Sequence, residues 1–438
     1  MRTHRPGGSP HRRPALHLLT AALCVVVLGL TGCATRGQGA EARSAGGPGV
    51  PFGTSKQDYR AALADMEPVT LTLQSSATQG AAVGRRFEAY AAALEDWSGG
   101  RISVDIAFSN AIASSADVDD ALADGRLDLG SITPSSEPSR YPAHAALWDM
   151  AFVGRQTPVD GFLQFHGAYL EASSRVPETT EEFAARGITV LAPAFSSGAT
   201  GMLCTTPRND LASFAGAAVA TIARTQNTQV EALGGAPTSL TYGELFEGLE
   251  RGVVQCATAS LTVAGLQGYI PAAPYLVIDD ETGFQVSGAV FGVSTAMWSS
   301  LPLAAQQLMF DRLDVFYEAS LESGLESFKS ALQQVESSGG DVVDLSADAE
   351  AALTEANDRI REQTRHNDKV SDPDGMVDAL AGAVERWGRI TEEMGYRDGK
   401  PGYADFAAEY EPGSIDVSPF VDRLFSEVLR EDRPGAPA

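Results

Sequence analysis

Short β-strand patterns alternate with helical patterns along the first half of the chain, and this alternation limits the possible folds more than any other feature. Strands are predicted at 69–73 and 102–106, and residues 82–97 between them have the period of an amphipathic helix. Further strand patterns follow at 127–132, 188–191, 217–221 and 253–254. Strands separated by helices of this length form mostly parallel sheets that are covered by helices. The sequence therefore predicts the α/β class.

The second half of the chain is predominantly helical. Long helical patterns occupy residues 304–335, 347–364 and 376–393. A chain of 438 residues exceeds one ordinary core, so two lobes or two domains are expected. Residues 396–438 form an acidic extension that carries several aromatic side chains, namely Tyr396, Tyr403, Phe406 and Tyr410. We expect these rings to pack back onto a lobe, with contact to a partner as the alternative.

The N-terminal segment has the features of an export signal. Arginines without acidic residues precede an uncharged apolar stretch at 18–30, which is shorter than the roughly 20 residues of a spanning helix. Residues 30–33 read Leu-Thr-Gly-Cys, which resembles the lipobox of bacterial lipoproteins. That resemblance implies a signal peptide at 1–33 and acylation of Cys33. Residues 34–67, rich in Gly and Ala at their start, are predicted to form a flexible tether.

Charge and cysteine content fit an extracytoplasmic protein held at the cell membrane by lipid alone. The formal net charge is −25, and such an acidic surface repels nucleic acid and anionic headgroups, so neither is an expected partner. Only Cys204 and Cys256 lie beyond the lipobox. Two cysteines in an exported chain most often pair, although two buried thiols or a metal pair are alternatives.

Motifs for catalysis are absent from the sequence. Beyond the signal the histidines are His144, His166 and His366, each isolated from other metal-ligand or catalytic residue types. No nucleophile elbow and no phosphate-binding glycine loop occurs. We therefore expect no catalytic residue, no metal site and no cofactor, and binding is the default function.

An ordered series of motifs resembles the DctP-type solute-binding proteins of tripartite ATP-independent periplasmic (TRAP) transporters. The resemblance extends over roughly residues 69–391. Its motifs are WSGGRISVDI (97–106), ALADGRLDLG (121–130), YP (141–142) ahead of MAF (150–152), ALGGAPT (232–238), YGELFEGLERGVV (242–254) and MWSSLP (297–302).

This resemblance implies a two-lobed clamp that is braced by a long helix and that closes on a small ligand. Lobe I is expected at 68–197, completed by about 313–350, and lobe II at 198–312, completed by about 351–395. The ligand would pass to a small and a large integral membrane subunit, driven by an ion gradient. We expect a monomer. The resemblance also places Cys204 and Cys256 on strands of lobe II and predicts a disulfide there.

The family's usual arginines are missing from this chain. In the family, arginines clamp a ligand carboxylate, which suits the planar guanidinium; here the matching positions hold Ala220 and Thr200. Either Arg224 reaches into the pocket, or the ligand is not a simple carboxylate, and we prefer the second interpretation. By the same matching, the predicted ligand-binding residues are Gln74, Thr133, Trp148, Thr200, Arg224, Tyr242, Gln255 and Ser287.

Three other functions are compatible with part of this interpretation. A ligand-sensing lipoprotein that signals to a membrane receptor would use the same fold, and so would the binding protein of a different transporter type. An exported lipoprotein hydrolase would require a nucleophile and a base, which the scattered histidines do not supply.

Overall fold

The computed structural model describes residues 47–240, 242–397 and 399–436, without the side chains of residues 242 and 243. The predicted signal peptide, Cys33 and the start of the tether lie outside the described residues. The strands form two sheets. Their bounds are β1 Val69–Gln74, β2 Ile102–Ala107, β3 Leu129–Ile132, β4 Ile188–Ser196, β5 Thr200–Cys204, β6 Ala218–Thr221, β7 Ala236–Ser239, β8 Cys256–Ser260, β9 Tyr275–Val277, β10 Gly288–Ser294 and β11 Asp341–Val343.

Helices cover both sheets. Their bounds are α1 Lys56–Ala62, α2 Arg85–Ser98, α3 Val118–Ala123, α4 Pro142–Asp149, α5 Asp160–Arg175, α6 Glu178–Ala184, α7 Leu211–Phe214, α8 Arg224–Ala232, α9 Tyr242–Glu250, α10 Leu261–Leu266, α11 Thr295–Ser300, α12 Leu303–Asp311, α13 Leu313–Ser337, α14 Ala347–Arg365, α15 Pro373–Glu393, α16 Tyr403–Glu409 and α17 Ser418–Glu427. Short 3-10 turns lie at Ala82–Gly84, Pro134–Ser136 and Leu429–Asp432.

Lobe I contains the first sheet, whose strand order is β2-β1-β3-β10-β4. β1 runs parallel to β2 and β3, whereas β10 runs antiparallel to β3 and β4. Helix α2 connects β1 to β2 and buries Phe87, Tyr90 and Leu94 against the sheet. It ends at Gly99, whose left-handed backbone (φ 64°) is readily adopted by glycine. Each such buried side chain contributes about 1.5–3 kcal/mol.

Lobe II contains the second sheet, whose strand order is β11-β9-β5-β8-β6-β7. β6 is parallel to β7 and β8, and β5 is antiparallel to β8 and β9. This mixed two-sheet α/β arrangement confirms the predicted fold class.

The long helix α13 packs against elements of both lobes, including α2 on one side and α10 on the other. Its Phe316 stacks on Phe291 of β10 with ring centroids 5.1 Å apart. Phe195 of β4 contacts the Phe316 ring edge-on. The described residues thus contain the bracing helix that the sequence predicted. Among these residues no helix combines the length and the apolarity that crossing a membrane requires.

Several boundaries differ from the sequence-based ones because strand pairing and helix packing are non-local. β10, expected in lobe II, joins the first sheet, and β11, expected in lobe I, pairs with β9 in the second. α15, expected to complete lobe II, packs on α5 of lobe I. The predicted tether is also shorter than 34–67, since α1 buries Tyr59.

The C-terminal extension packs onto the folded body. The four aromatic rings named above, at 396, 403, 406 and 410, are all buried, and so are Phe420 and Phe425. Helices α16 and α17 lie against α13. These rings therefore form packing contacts within the chain, as expected from the sequence.

Candidate functional site

Besides the long helical segment from β10 to β11, two shorter segments cross between the sheets, and they define where a site between the lobes can lie. Residues 197–199 lead from β4 to β5, and residues 278–287 lead from β9 back to β10. Gly198 has φ 103°, and a Cβ added there would lie 2.1 Å from the ring of Phe328, so this crossover requires glycine. The Ser196 hydroxyl accepts a hydrogen bond from Gly198 N (3.0 Å) and donates to Ser287 O (3.4 Å). Ser196 thereby joins the two crossovers.

A small cavity lies beside these crossovers. Its volume is about 10 Å³ in this structure, which is room for about one water molecule. One charged side chain in its wall, Arg155, is already paired with Asp160 and also donates to Gly388 O. The remaining wall is apolar or uncharged and is formed by Gln156, Thr157, Gly161, Phe162, Phe165, Gly198, Ala199 and Val286. The wall is therefore mostly uncharged, and the space it encloses in this structure is smaller than an organic ligand requires.

Two predicted ligand residues of lobe I follow strands of the first sheet. Gln74 ends β1, and its amide is fully engaged with the loop after β2: Oε1 accepts from Ile112 N and Ala113 N (both 2.9 Å), and Nε2 donates to Ala113 O (2.8 Å). Gln74 therefore positions that loop. Thr133 follows β3 and is partly buried.

Trp148 is fully buried at the end of α4. Its indole stacks on Tyr169 with centroids 5.1 Å apart, and it fills the space beside Gly288, where an added Cβ would lie 1.7 Å from the ring. The indole Nε1 has no hydrogen-bond partner among the described residues. Trp148 thus forms a packed wall next to the start of β10.

The predicted residues of lobe II lie at both ends of its sheet. Thr200 is the first residue of β5 and pairs with Ser260, at the end of the sheet where the crossovers lie. The buried Ala220 lies in β6 and pairs with Ala257. Gln255 lies at the opposite end of the strands. It directly precedes β8, and its Oε1 accepts a hydrogen bond from Ala218 N (2.7 Å) at the start of β6. The structure does not bring it to the crossovers.

The remaining two predicted residues are less informative. Ser287, just before β10, is partly buried at the second crossover. The side chain of Tyr242 lies outside the described part of the chain.

Arg224 does not face the cavity. It is the first residue of α8, its side chain is 76% exposed, and its guanidinium pairs with Asp149 at the end of α4. Thr225 Oγ1 donates to the other carboxylate oxygen of Asp149 (2.7 Å). These contacts join lobe II to lobe I at the surface, so Arg224 is not available in this structure to replace the missing clamp arginine.

Buried amides link the lobes in the interior, which the sequence analysis missed. Gln226 of α8 donates to Gln285 O (3.0 Å) and accepts from Thr258 (2.8 Å), and Gln285 donates to Trp148 O (3.1 Å). Gln226 and Gln229 are spaced three apart on one helix face and are both buried. That spacing was the available signal.

Arg86 was also missed. It lies on the buried face of α2, its guanidinium carbon is 4.9 Å from the centroid of the Phe195 ring, and burial lowers its pKa to about 10. The signal was its position four residues before Tyr90, on the apolar face of a helix.

The histidines show no catalytic arrangement. Burial lowers the pKa of His144 to about 3 and that of His166 to about 4, so both rings are neutral. His166 accepts from Ser196 N (3.3 Å) and hydrogen-bonds Phe162 O (2.9 Å), whereas His366 is exposed beside Glu362. No group of three or more potential metal ligands occurs among the described residues.

Cys204 and Cys256 form the predicted disulfide. They are register partners on the antiparallel strands β5 and β8, with Cα atoms 4.1 Å apart. The bond lies inside a cluster of buried apolar side chains in lobe II.

Comparisons with known proteins agree with this fold. The family model of DctP, described as bacterial extracellular solute-binding protein, family 7, matches residues 73–367. No curated protein has detectable similarity to the sequence.

Solved structures of TRAP solute-binding proteins have the same fold. A pyroglutamate-specific protein from a marine metagenome (unidentified microbe) superposes with a TM-score of 0.62 at 13% identity, covering 72% of this chain and 100% of its own. The ectoine-binding protein of the TeaABC transporter of Halomonas elongata gives 0.63 at 16% identity, covering 73% and 100%. The sugar acid binding protein DctPAm of Advenella mimigardefordensis, in complex with galactonate, gives 0.62 at 15%, covering 74% and 100%.

The family match spans most of the chain and includes both crossovers, Ala220 and the disulfide. The members of this family are extracytoplasmic binding proteins of transporters and not enzymes. The chain belongs to the DctP family of bacterial extracellular solute-binding proteins, the binding components of TRAP transporters.

Proposed function

We propose that this protein is a lipid-anchored solute-binding protein that captures a small ligand at the crossovers between its lobes and delivers it, as a monomer, to the membrane subunits of a TRAP transporter. The observation that carries the proposal is the cavity bounded by both crossovers and α5. A ligand in that position touches segments that lead into both sheets. It therefore favours the closed arrangement of the lobes, since its contacts to both exist only there.

The ligand is not a simple carboxylate held in the way usual for the family. Ala220 and Thr200 occupy the two clamp positions, both are buried, and Arg224 is turned to the surface. The related proteins bind pyroglutamate, ectoine or galactonate. Small cyclic or hydroxylated molecules of these kinds are the first candidates for the wall of aromatic and amide side chains found here.

A ligand screen tests solute capture. The purified protein is heated with cyclic amino acids, sugar acids, polyols and aromatic acids, and its unfolding temperature is recorded. A ligand present at about 100 times its Kd stabilises the folded protein by roughly 2.7 kcal/mol. Succinate and malate are expected to give weak shifts or none. A strong shift with either that disappears in Arg224→Ala would contradict the proposed mode of binding.

Replacement of the predicted acylation site tests the anchor. Cys33→Ser is expected to move the protein from the membrane fraction to the soluble extracytoplasmic fraction and to abolish incorporation of labelled palmitate. Cys24→Ser serves as the control, because it also removes a cysteine but leaves Cys33 and the Cys204–Cys256 bond intact. Membrane retention of Cys33→Ser would contradict the lipid anchor.

A further inference from the structure

Part of the C-terminal extension lies over the crossovers between the lobes. We call residues 399–411, which contain α16, the strap. The family model ends at residue 367, and the three solved relatives named above are covered completely by 72–74% of this chain. The strap is therefore an addition to the common fold of the family.

The two flanks of the strap are fixed on lobe I. Before the strap, the Tyr396 hydroxyl donates a hydrogen bond to Asp416 O (2.6 Å), which follows the strap. Phe420 of α17 then packs edge-on against Trp387 of α15, with ring centroids 5.6 Å apart, and α15 lies on α5. The segment between these anchor points is thus held at both ends.

Phe328 of α13 connects the strap to the first crossover. Tyr403 and Phe406 of the strap contact its ring edge-on, with centroids 6.2 and 6.4 Å away. The same ring fills the space beside Gly198, where an added Cβ would lie 2.1 Å from it. It also packs against Phe162 in the cavity wall, with centroids 5.1 Å apart. Through this one ring, the strap supports both the first crossover and the cavity wall.

The strap also reaches the second crossover and lobe II. A Cβ added at Gly402 would lie 3.0 Å from Oδ2 of Asp280, which belongs to the segment 278–287. Helix α16 lies against β11, the edge strand of the second sheet. The strap is therefore anchored on lobe I and packs across both crossovers to the edge of lobe II.

The lobes are closed on each other in this structure. The cavity at the crossovers has room for about one water molecule, with a volume of about 10 Å³. Buried hydrogen bonds from Gln226 to Gln285 O (3.0 Å) and from Gln285 to Trp148 O (3.1 Å) join the two lobes. When the lobes rotate apart about the crossovers, Asp280 and β11 move relative to α13, and α16 cannot keep its contacts to all of them.

We infer that the strap is a closure element, which shifts the equilibrium between open and closed lobes towards the closed arrangement. Contacts that exist fully in one arrangement favour it by the difference in their free energy between the two arrangements. This inference rests on the proposed function, because closure is the step that captures the ligand. It adds to that function a segment outside the family's common fold that regulates closure.

The test compares Phe406→Ala with Phe420→Ala. Both rings belong to the C-terminal extension, and both are completely buried. Phe406 contacts Phe328 at the first crossover, whereas Phe420 packs against Trp387 and Tyr396 on lobe I. The two variants therefore lose the same side-chain atoms, but only one of them weakens the strap at the crossovers.

Two backbone amides report on opening. Gln156 N, in lobe I, donates to Asp280 O (2.9 Å) in the second crossover. Gln285 N, in the same crossover, donates to Gln229 Oε1 (3.0 Å) of α8 in lobe II. A rotation of the lobes that breaks either bond exposes an amide to exchange with solvent.

Hydrogen exchange is measured on the full-length protein without added ligand, by mass spectrometry that resolves single amides. In Phe406→Ala at least one of the two amides should exchange about 10-fold faster than in the wild type, and in Phe420→Ala both should stay within about two-fold. Amides of β1 should change alike in the two variants. If an alanine variant does not fold, Phe406→Leu and Phe420→Leu replace the pair, and the same order is expected.

Contrary outcomes are distinct. Equal acceleration at the two amides in both variants, or no acceleration in Phe406→Ala, would overturn the inference. Either result would leave solute capture intact, because the measurement contains no ligand. A protein that shows the expected difference but responds to no compound in the ligand screen would retain the closure element and count against the proposed function alone.

Discussion

Lobe II carries a disulfide between neighbouring strands, whereas lobe I has no disulfide among the described residues and depends on segments from distant parts of the sequence. The Cys204–Cys256 bond joins neighbouring strands inside a small cluster of buried apolar side chains on lobe II, which includes Met202, Phe214 and Val219. Lobe I is covered by α15, which packs on α5 although more than 190 residues separate their starts at Asp160 and Pro373. Lobe II therefore has a covalent link that lobe I lacks among the described residues.

The N- and C-terminal ends of the folded part meet on lobe I. Arg433 donates to both carboxylate oxygens of Asp311 in α12 (2.8 and 3.1 Å), to Val50 O (2.9 Å) and to the hydroxyl of Tyr59 (3.1 Å). Asp311 and Arg433 are both buried. The difference between the lobes predicts that they respond to different perturbations.

Loss of the disulfide should have the largest effect, and it should be confined to lobe II. The closed loop spans 52 residues, for which loop-closure entropy gives about 4 kcal/mol. The double variant Cys204→Ala/Cys256→Ala should lose about that much free energy of unfolding in urea. Hydrogen exchange should become faster in β5 and β8 and stay unchanged in β1 and β2. Equal acceleration in both lobes would show that they unfold as one unit.

Removal of Arg433 should give the next largest effect, in lobe I. Arg433→Met leaves the Asp311 carboxylate buried without its partner, and breaking such a pair from one side costs roughly 3 kcal/mol. Urea denaturation checks the loss, and hydrogen exchange should now accelerate in α12 and α1. Adding Asp311→Asn to this variant should restore part of the lost stability. No recovery in the double variant would assign the effect to packing.

Local patterns made much of the fold predictable. The two-residue alternation gave β1 and β2, and the three-to-four-residue period gave the core of α2, because these signals lie within single elements. The disulfide followed from having two remaining cysteines on matched strands. Elements that depend on distant partners were not predictable: β10 returns to the first sheet, and the pattern at 304–335 breaks into α12 and α13 at Arg312.

The candidate site was harder to predict than the fold. The strand expected at 253–254 lies instead at β8, and Val253 is 62% exposed, because the apolar pair closes a turn before the strand. Gln255 therefore lies at the end of the sheet that is distant from the crossovers. Arg86 was missed because a charged side chain is normally assigned to the solvent face, and only the packing of α2 against β4 and α13 shows its burial.

Neutralising Asp280 should give a smaller, pH-dependent gain in stability. Burial, with repulsion from Asp344, Asp279 and Glu281, raises the pKa of Asp280 to about 6. The folded protein thus binds this proton more tightly than the unfolded chain, and the stability from the protonated form is present below about pH 4 and lost as the pH rises through about 6.

Asp280→Asn should therefore raise the free energy of unfolding at pH 7.5 by about 1 kcal/mol, after allowance for solvent screening at this half-buried site. The gain should shrink as the pH falls towards 4. Denaturant titrations across this range check the trend, with Asp368→Asn as an exposed control of equal charge change. A gain independent of pH would contradict the assigned cause.

The surface contact between the lobes should have the smallest effect. Because the Arg224 side chain is 76% exposed, its pair with Asp149 should stabilise the protein by less than about 1 kcal/mol. A double-mutant cycle of Arg224→Ala and Asp149→Ala should give a coupling energy of that size, and ligand Kd should rise only about two- to five-fold, since the closed form loses one exposed contact. A loss of 100-fold or more would instead show that Arg224 contacts the ligand directly.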